Sequence, residues 1–288
     1  MKTIMNINER IGTCCVSALL YEVSVYPKPG LVDPLTNGAH QDMNFFTFIS
    51  SIAAISHYFT RFAEYGRLLA HIDDTTLSKI RPLGIECEEA MFKATNGVNT
   101  HKGAIFSLGI IATAAAYCYK TKQYVSADMI CDVAGAIAQA AQKDFSTPSD
   151  SLAMTKGRKL YAAYGIKGIR GEAASGFYSV RMYALPVMKN LFSYDMHSKN
   201  DIYLETLLHL MTKVEDTNVI SRCGIHMMEY VRSSANKVLG LGGALSVQGK
   251  DELIRMDQEY TKRNISPGGC ADLLSVAIAL DHMEKLLE

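Results

Sequence analysis

Apolar side chains recur three and four positions apart along almost the whole chain, as in Ile11, Cys15, Ala18 and Leu19, and again in Phe45, Phe48, Ile49, Ile52 and Ile55. That spacing lines one face of a helix, and no stretch shows the two-residue alternation of a half-buried strand with hairpin turns. The pattern predicts helices over about 8–24, 43–70, 75–95 (broken near Pro82), 102–120, 126–142, 151–164, 171–193 (bent near Pro186), 201–214, 219–239, 249–263 and 268–287. The expected fold is all-α: one multi-helix globular domain over 1–288, with about ten or eleven helices around a central substrate cleft. No composition break, linker or internal repeat divides the chain.

The polar interruptions between these helices share a character. The longest, PKPGLVDPLTNGAHQDM over 27–43, far exceeds the roughly 2–8 residues that a plain helix-to-helix connection needs. Four others are TNGVNTHKG (95–103), GIKGIRGEAASGF (165–177), EDTNVISRCG (215–224) and NISPGGCAD (264–272). Each sets glycine beside ionisable or amide side chains. A glycine-rich turn entering a helix suits phosphate oxygens, because the first N–H groups of the helix are unpaired and carry partial positive charge. Five such turns, far apart in sequence, are able to converge on one pocket.

Each candidate has a plainer alternative. In the first loop Lys28 suits phosphate, Asp33 and Asp42 suit proton transfer or Mg²⁺, and Asn37 and His40 suit a sugar hydroxyl or a base. The loop itself reads equally well as a rigid connector in which Gly30 supplies a turn, and Asp42 reads as the cap of the next helix. In the second, Asn99 or Thr100 suits a helix cap, with His101 alongside. Lys102 then stands at a helix start that disfavours a cation unless an anion is near. Arg170 and Glu172 fit either a solvated surface pair or a site built where Gly171 and Gly176 permit close approach. Asp216 or Thr217 reads as a cap, with Asn218 and Arg222 sharing a helix face beyond it. Asp272, after Gly268 and Gly269, is accounted for by the dipole of the helix it begins.

Bulk properties narrow the function. The 29 basic and 29 acidic side chains of the 288 residues cancel, so no global field draws nucleic acid or an anionic membrane. Seven cysteines without a CxxC pair fit a reducing cytosol, and the N-terminus lacks a secretory apolar stretch. The run AIFSLGIIATAAAYCY (104–119) falls short of the roughly 20 residues of a membrane span and reads as a core helix. There is no Walker loop, no GxSxG elbow, no dinucleotide fingerprint and no HExxH.

The run YEVSVYPKPGLVDPLTNGAHQDMNFFTF closely resembles the opening signature of the triphosphoribosyl-dephospho-coenzyme A synthases. GVNTHKGAIFSLG, RGEAASGF, EDTNVISRCG and SPGGCADLLS resemble that family's later signatures, in the same order and across nearly the full chain. One position departs: Cys223 precedes Gly224 where two glycines are expected after the arginine.

The resemblance implies an all-helical cytoplasmic transferase. It would join ATP to 3′-dephospho-CoA, release adenine and form 2′-(5″-triphosphoribosyl)-3′-dephospho-CoA, precursor of the prosthetic group on the acyl carrier protein subunit of citrate lyase or malonate decarboxylase. An α-linked product from β-linked ATP implies inversion at C1′. Under that reading Glu172 and Asp33, then His40 and Asp42, are candidates for acid/base work. Asp216 and Asp272 are candidates for Mg²⁺. Lys28, Lys102, Arg170 and Arg222 are assigned to phosphate charge, with Gly30, Asn37, Asn99, His101, Asn218, Gly268 and Gly269 also lining the nucleotide sites. A nucleoside or ADP-ribose hydrolase and a non-enzymatic CoA-binding assembly module are the alternatives. The number of subunits stays open, a homodimer included.

Overall fold

A computed structural model describes residues 6–122, 124–142 and 156–287; residues 151–155 of the helix expected over 151–164 lie outside them. Thirteen α-helices fill the described residues, and none of those residues forms a strand. They are α1 (Ile7–Ser24), α2 (Phe45–Leu68), α3 (Thr76–Ala94), α4 (Lys102–Thr121), α5 (Ala127–Ala138), α6 (Lys156–Tyr164) and α7 (Gly168–Ala174). The rest are α8 (Leu185–Ser193), α9 (Lys199–Met211), α10 (Thr217–Cys223), α11 (Met227–Gly240), α12 (Val247–Lys262) and α13 (Gly268–Leu287).

Helix starts follow local side-chain chemistry. Asn6 caps α1, and Glu9 reaches back to the Asn6 N–H at 2.9 Å; Asn44 and Thr47 form the same reciprocal box on α2. Asp42 is therefore not the cap of α2, which is Asn44, two residues beyond it.

Two predicted helices are each divided in two, which accounts for thirteen helices rather than eleven. The segment expected over 171–193 stops at Ala174, turns through Gly176 (φ +68°) and Phe177 (φ +55°), and resumes as a π-helical turn over Val180–Ala184 before α8. Pro186 is the second residue of α8, where no N–H is needed. The segment expected over 219–239 is split by Gly224 at φ +87°. In the other direction, Pro82 does not break α3. Its missing N–H orphans the carbonyl of Ser78, and both residues lie on the solvent face, where water replaces the lost bond.

Helices α1, α2, α4 and α13 pack on one another as the centre of the structure, with α3 and α5 laid against α4 and with α9 against α13. Helix α4 is long and apolar enough to cross a membrane, but most of it is buried among these neighbours, which makes it a core helix. Small residues set the approach of α2 to α4. A β-carbon on Gly66 would lie 2.1 Å from the backbone oxygen of Thr113, and one on Gly109 would lie 2.9 Å from the Phe62 ring.

Gly66→Ala is therefore expected to lower stability by about 1–3 kcal/mol or more through overpacking against backbone that has little room to yield. Gly84→Ala in α3, where a new β-carbon meets nothing within 4 Å, is expected to be neutral or stabilising by up to about 1 kcal/mol. Urea denaturation of the two variants beside the parent checks both signs.

Candidate active site

The 27–43 loop is fastened on several sides, and this makes it a fixed wall. The side chain of Asn200 on α9 accepts from the Tyr26 N–H at 2.9 Å and donates to the Tyr26 carbonyl at 2.8 Å, next to a cis Tyr26–Pro27 bond. The Gly30 N–H donates to Asp257 on α12 at 2.9 Å. Gly30 adopts φ +68°, and a β-carbon there would fall 2.0 Å from the carbonyl oxygen of Ile265, so only glycine fits. Arg222 donates to the Ala39 carbonyl and to Asn264, and the His40 ring meets Ser266 at 2.9 Å.

Two cavities lie side by side here, and this wall lines the smaller of them. The larger, about 920 Å³, is bounded by the 165–179 segment, the start of α10 and the first turns of α4 and α13. The smaller, about 270 Å³, lies between the 27–43 loop, α2 and the α12–α13 turn. They share Asn99, Lys102, Gly103, Asn218 and Asp272, so the two spaces meet at one neck.

The five polar turns supply this neck and its surroundings. Arg170, Glu172, Asp216 and Gly269 line the larger cavity; Lys28, His40, Asp42, Arg222 and Gly268 line the smaller. Asp33, Gly30, Asn37 and His101 line neither. Asp33 is buried and accepts the N–H groups of Lys28, Leu35 and Thr36, so its carboxylate holds the loop together. Gly30 acts through loop geometry, and Asn37 is exposed, with its carbonyl accepting from the His40 N–H. His101 sits behind the wall, where its Nδ1 meets Ser51 Oγ at 2.8 Å and its ring edge faces Phe48.

The charged groups have partners that the sequence did not announce. Lys28 is buried in an ion pair with Glu22 of α1, and Lys102 pairs with Glu88 of α3 at 2.6 Å. The anion expected beside Lys102 is thus supplied by the protein itself. Glu172 accepts from Ser179, through its hydroxyl at 2.5 Å and its N–H at 3.1 Å, which fixes the carboxylate toward the large cavity. Tyr178, Tyr183, Lys213 and Arg232 also line that cavity, although no motif marked them. Tyr178 and Tyr183 meet edge to face at 6.0 Å, and the Lys213 ammonium lies 5.7 Å from the Tyr183 ring.

Asp216 joins two helix starts. One oxygen accepts from Asn218 N at 2.9 Å and Val219 N at 3.3 Å, capping α10; the other accepts from Cys270 N at 2.9 Å in the first turn of α13. Burial raises its pKa, and these donors hold the rise back. Asp272 is held well above the ordinary carboxylate range, by burial first, then by Asp216 and Glu22, with the Ala104 N–H at the start of α4 opposing. Asp216, which lines the larger cavity, and Asp272, which lines both, are thus two buried carboxylates whose charges oppose each other. His40 is lowered by burial and then by Arg222, with Asp42 3.7 Å away pulling it up. Burial, followed by Lys28, lowers His101 to about 3.

The profile of the ATP:dephospho-CoA triphosphoribosyl transferase family (CitG) matches residues 8–288. The chain belongs to that family. It is 41% identical over 282 residues to the 2-(5''-triphosphoribosyl)-3'-dephosphocoenzyme-A synthase of Pectobacterium atrosepticum, covering 97% of this chain and 90% of that protein. It is 38% identical over 286 residues to the synthase of the same name from Escherichia fergusonii, covering 99% and 92%. No solved structure matches it. Membership in the family gives the convergence of the five turns a common task.

His101 yields a test of how the wall is built. Its folded pKa lies below the ordinary value of 6.5, so the unfolded chain binds the proton more tightly, and stability is lost as pH falls from about 6.5 toward 3. The expected loss is at most about 1.4 kcal/mol per pH unit in that window. His101→Gln should flatten that part of the acid limb. Urea midpoints of both proteins at pH 7 and pH 4.5 measure the difference.

Proposed function

We propose that this chain joins ATP to 3′-dephospho-CoA, releasing adenine and forming 2′-(5″-triphosphoribosyl)-3′-dephospho-CoA. The observation that carries the reading is the pair of cavities meeting at Lys102, Asn218 and Asp272, because a reaction between two nucleotides needs two binding spaces open to one reacting carbon. Family membership supplies the substrates. In the reaction the C1′–N9 bond of ATP breaks with its electron pair leaving on adenine, and a C1′–O2′ bond forms. The 2′-hydroxyl proton ends on the departing base.

The residues divide this work. Glu172, aimed by Ser179, is the group that takes the 2′-hydroxyl proton from dephospho-CoA in the large cavity. Its negative charge also stabilises the positive character that develops at C1′ as the base departs. Arg170 and Lys102, with Lys213 and Arg232, face the phosphates. Asp216 and Asp272, both lining the large cavity, are the carboxylates that would hold Mg²⁺, an ion that typically takes one or two carboxylates and completes its shell with substrate phosphates and water. When bound there, the ion would neutralise triphosphate charge. Lys28 and Arg222 act by holding the small-cavity wall, since both already face acceptors in the protein.

We place the product on the route to the prosthetic group of an acyl carrier subunit, that of citrate lyase or malonate decarboxylase, in an enzyme that works in the cytoplasm as a single domain. Chromatography of the protein with ATP, Mg²⁺ and dephospho-CoA is expected to show adenine and the coupled nucleotide in equal amounts. Adenine appearing without dephospho-CoA would instead identify a hydrolase. Glu172→Gln is expected to lower turnover by roughly 10²–10⁴-fold with a much smaller change in ATP affinity. Wild-type turnover in that variant would remove Glu172 from proton transfer.

A further inference from the structure

We infer that the small cavity is the pocket for the leaving adenine of ATP, and that the large cavity takes dephospho-CoA. The inference rests on the transfer proposed above. Whatever the timing of bond breaking, the departing base and the entering hydroxyl cannot occupy the same place at C1′. The neck joining the two cavities is the position from which each has its own space.

Size separates the roles first. At about 270 Å³ the small cavity lies just under the range of roughly 300–1,000 Å³ that holds a drug-sized ligand, and suits one planar heterocycle. The cavity of about 920 Å³ has room for an extended nucleotide with its pyrophosphate and pantetheine arm. Lining chemistry points the same way. Within a lining that is mostly polar, Leu31, Val32, Met43 and Phe48 give the small cavity an apolar patch for a ring, and His40 and Asp42 add hydrogen-bonding groups. Of its three cations, Lys28 and Arg222 face Glu22 and backbone carbonyls and Lys102 stands at the neck, so the body of the pocket suits a neutral base better than a triphosphate.

The Phe48 wall is held in place from behind. Its ring stands edge-on to His101 at 4.9 Å and 77°, and His101 is bonded to Ser51, which in turn accepts from Thr100 at 2.8 Å. This relay braces the aromatic ring from behind, with Thr100 at its far end also lining the cavity. The arrangement also explains the chemistry packed into the 27–43 loop: that loop supplies the cavity's Leu31, Val32, His40, Asp42 and Met43.

Free adenine is the probe. Wild-type protein should bind it by calorimetry, and adenine should inhibit turnover competitively with ATP. Phe48→Ala should weaken adenine binding and raise the KM for ATP by roughly 10-fold, within the range for loss of one base–aromatic contact, while the KM for dephospho-CoA stays unchanged. Tyr178→Ala, on the large cavity, should show the reverse: a raised KM for dephospho-CoA and unaltered adenine binding. Should Phe48→Ala fail to fold by circular dichroism, Met43→Ala on the same wall carries the same expectation. Wild-type adenine affinity in the small-cavity variant, or weakened adenine binding in Tyr178→Ala, overturns the assignment. Adenine binding that follows this pattern in a protein that makes no coupled product would sink the transfer reaction and leave the pocket standing.

Discussion

Asp216 is the fastening on which the site depends. Its two oxygens bind the starts of two helices that lie far apart in sequence, with Asn218 and Val219 on one side and Cys270 on the other. Unpaired N–H groups at helix starts need acceptors, and a carboxylate meets that need with charge-assisted bonds. A third start, that of α4, is drawn in through Asp272, close enough that a β-carbon on Gly103 would lie 2.0 Å from its Oδ2. Three helix entries are thereby gathered round one neck. The arrangement costs stability, because both carboxylates are desolvated and Asp272 also feels its neighbour's charge.

The apolar core makes such a neck possible. Helices α1, α2, α4 and α13 pack closely enough that Gly66 touches the backbone of α4, and this holds the first turns of α4 and α13 in fixed relation. Around that frame the enzyme places its chemistry on connections: the 27–43 loop, the 165–179 segment and the 264–268 turn. Each connection is tied by side chains from elsewhere, such as Asn200, Asp257 and Arg222, which orders the reacting groups before substrates arrive. The π-helical turn over Val180–Ala184 belongs to the same design, since it carries Tyr183 to the large cavity after Glu172 and Ser179 have been set.

What the sequence by itself determined was the helical period, the fold class, the five glycine-rich turns and, through their order, the family. Those properties are local: a 3.6-residue repeat, a capping side chain or a turn glycine exerts its effect within a few positions of itself. What only the tertiary structure decided was which polar side chains face the cavities and which are consumed in holding them. Asp33 and Glu172 look alike in sequence, yet one accepts three N–H groups inside its own loop and the other lines the large cavity. Lys28 gives no local sign that Glu22 neutralises it, nor Lys102 that Glu88 does. Tyr178, Tyr183, Lys213 and Arg232 carry no motif at all, and they reach the site because helices distant in sequence converge. Hydrogen bonding and charge pairing act over a few ångströms of space regardless of separation along the chain, so their partners exist only once the chain has folded.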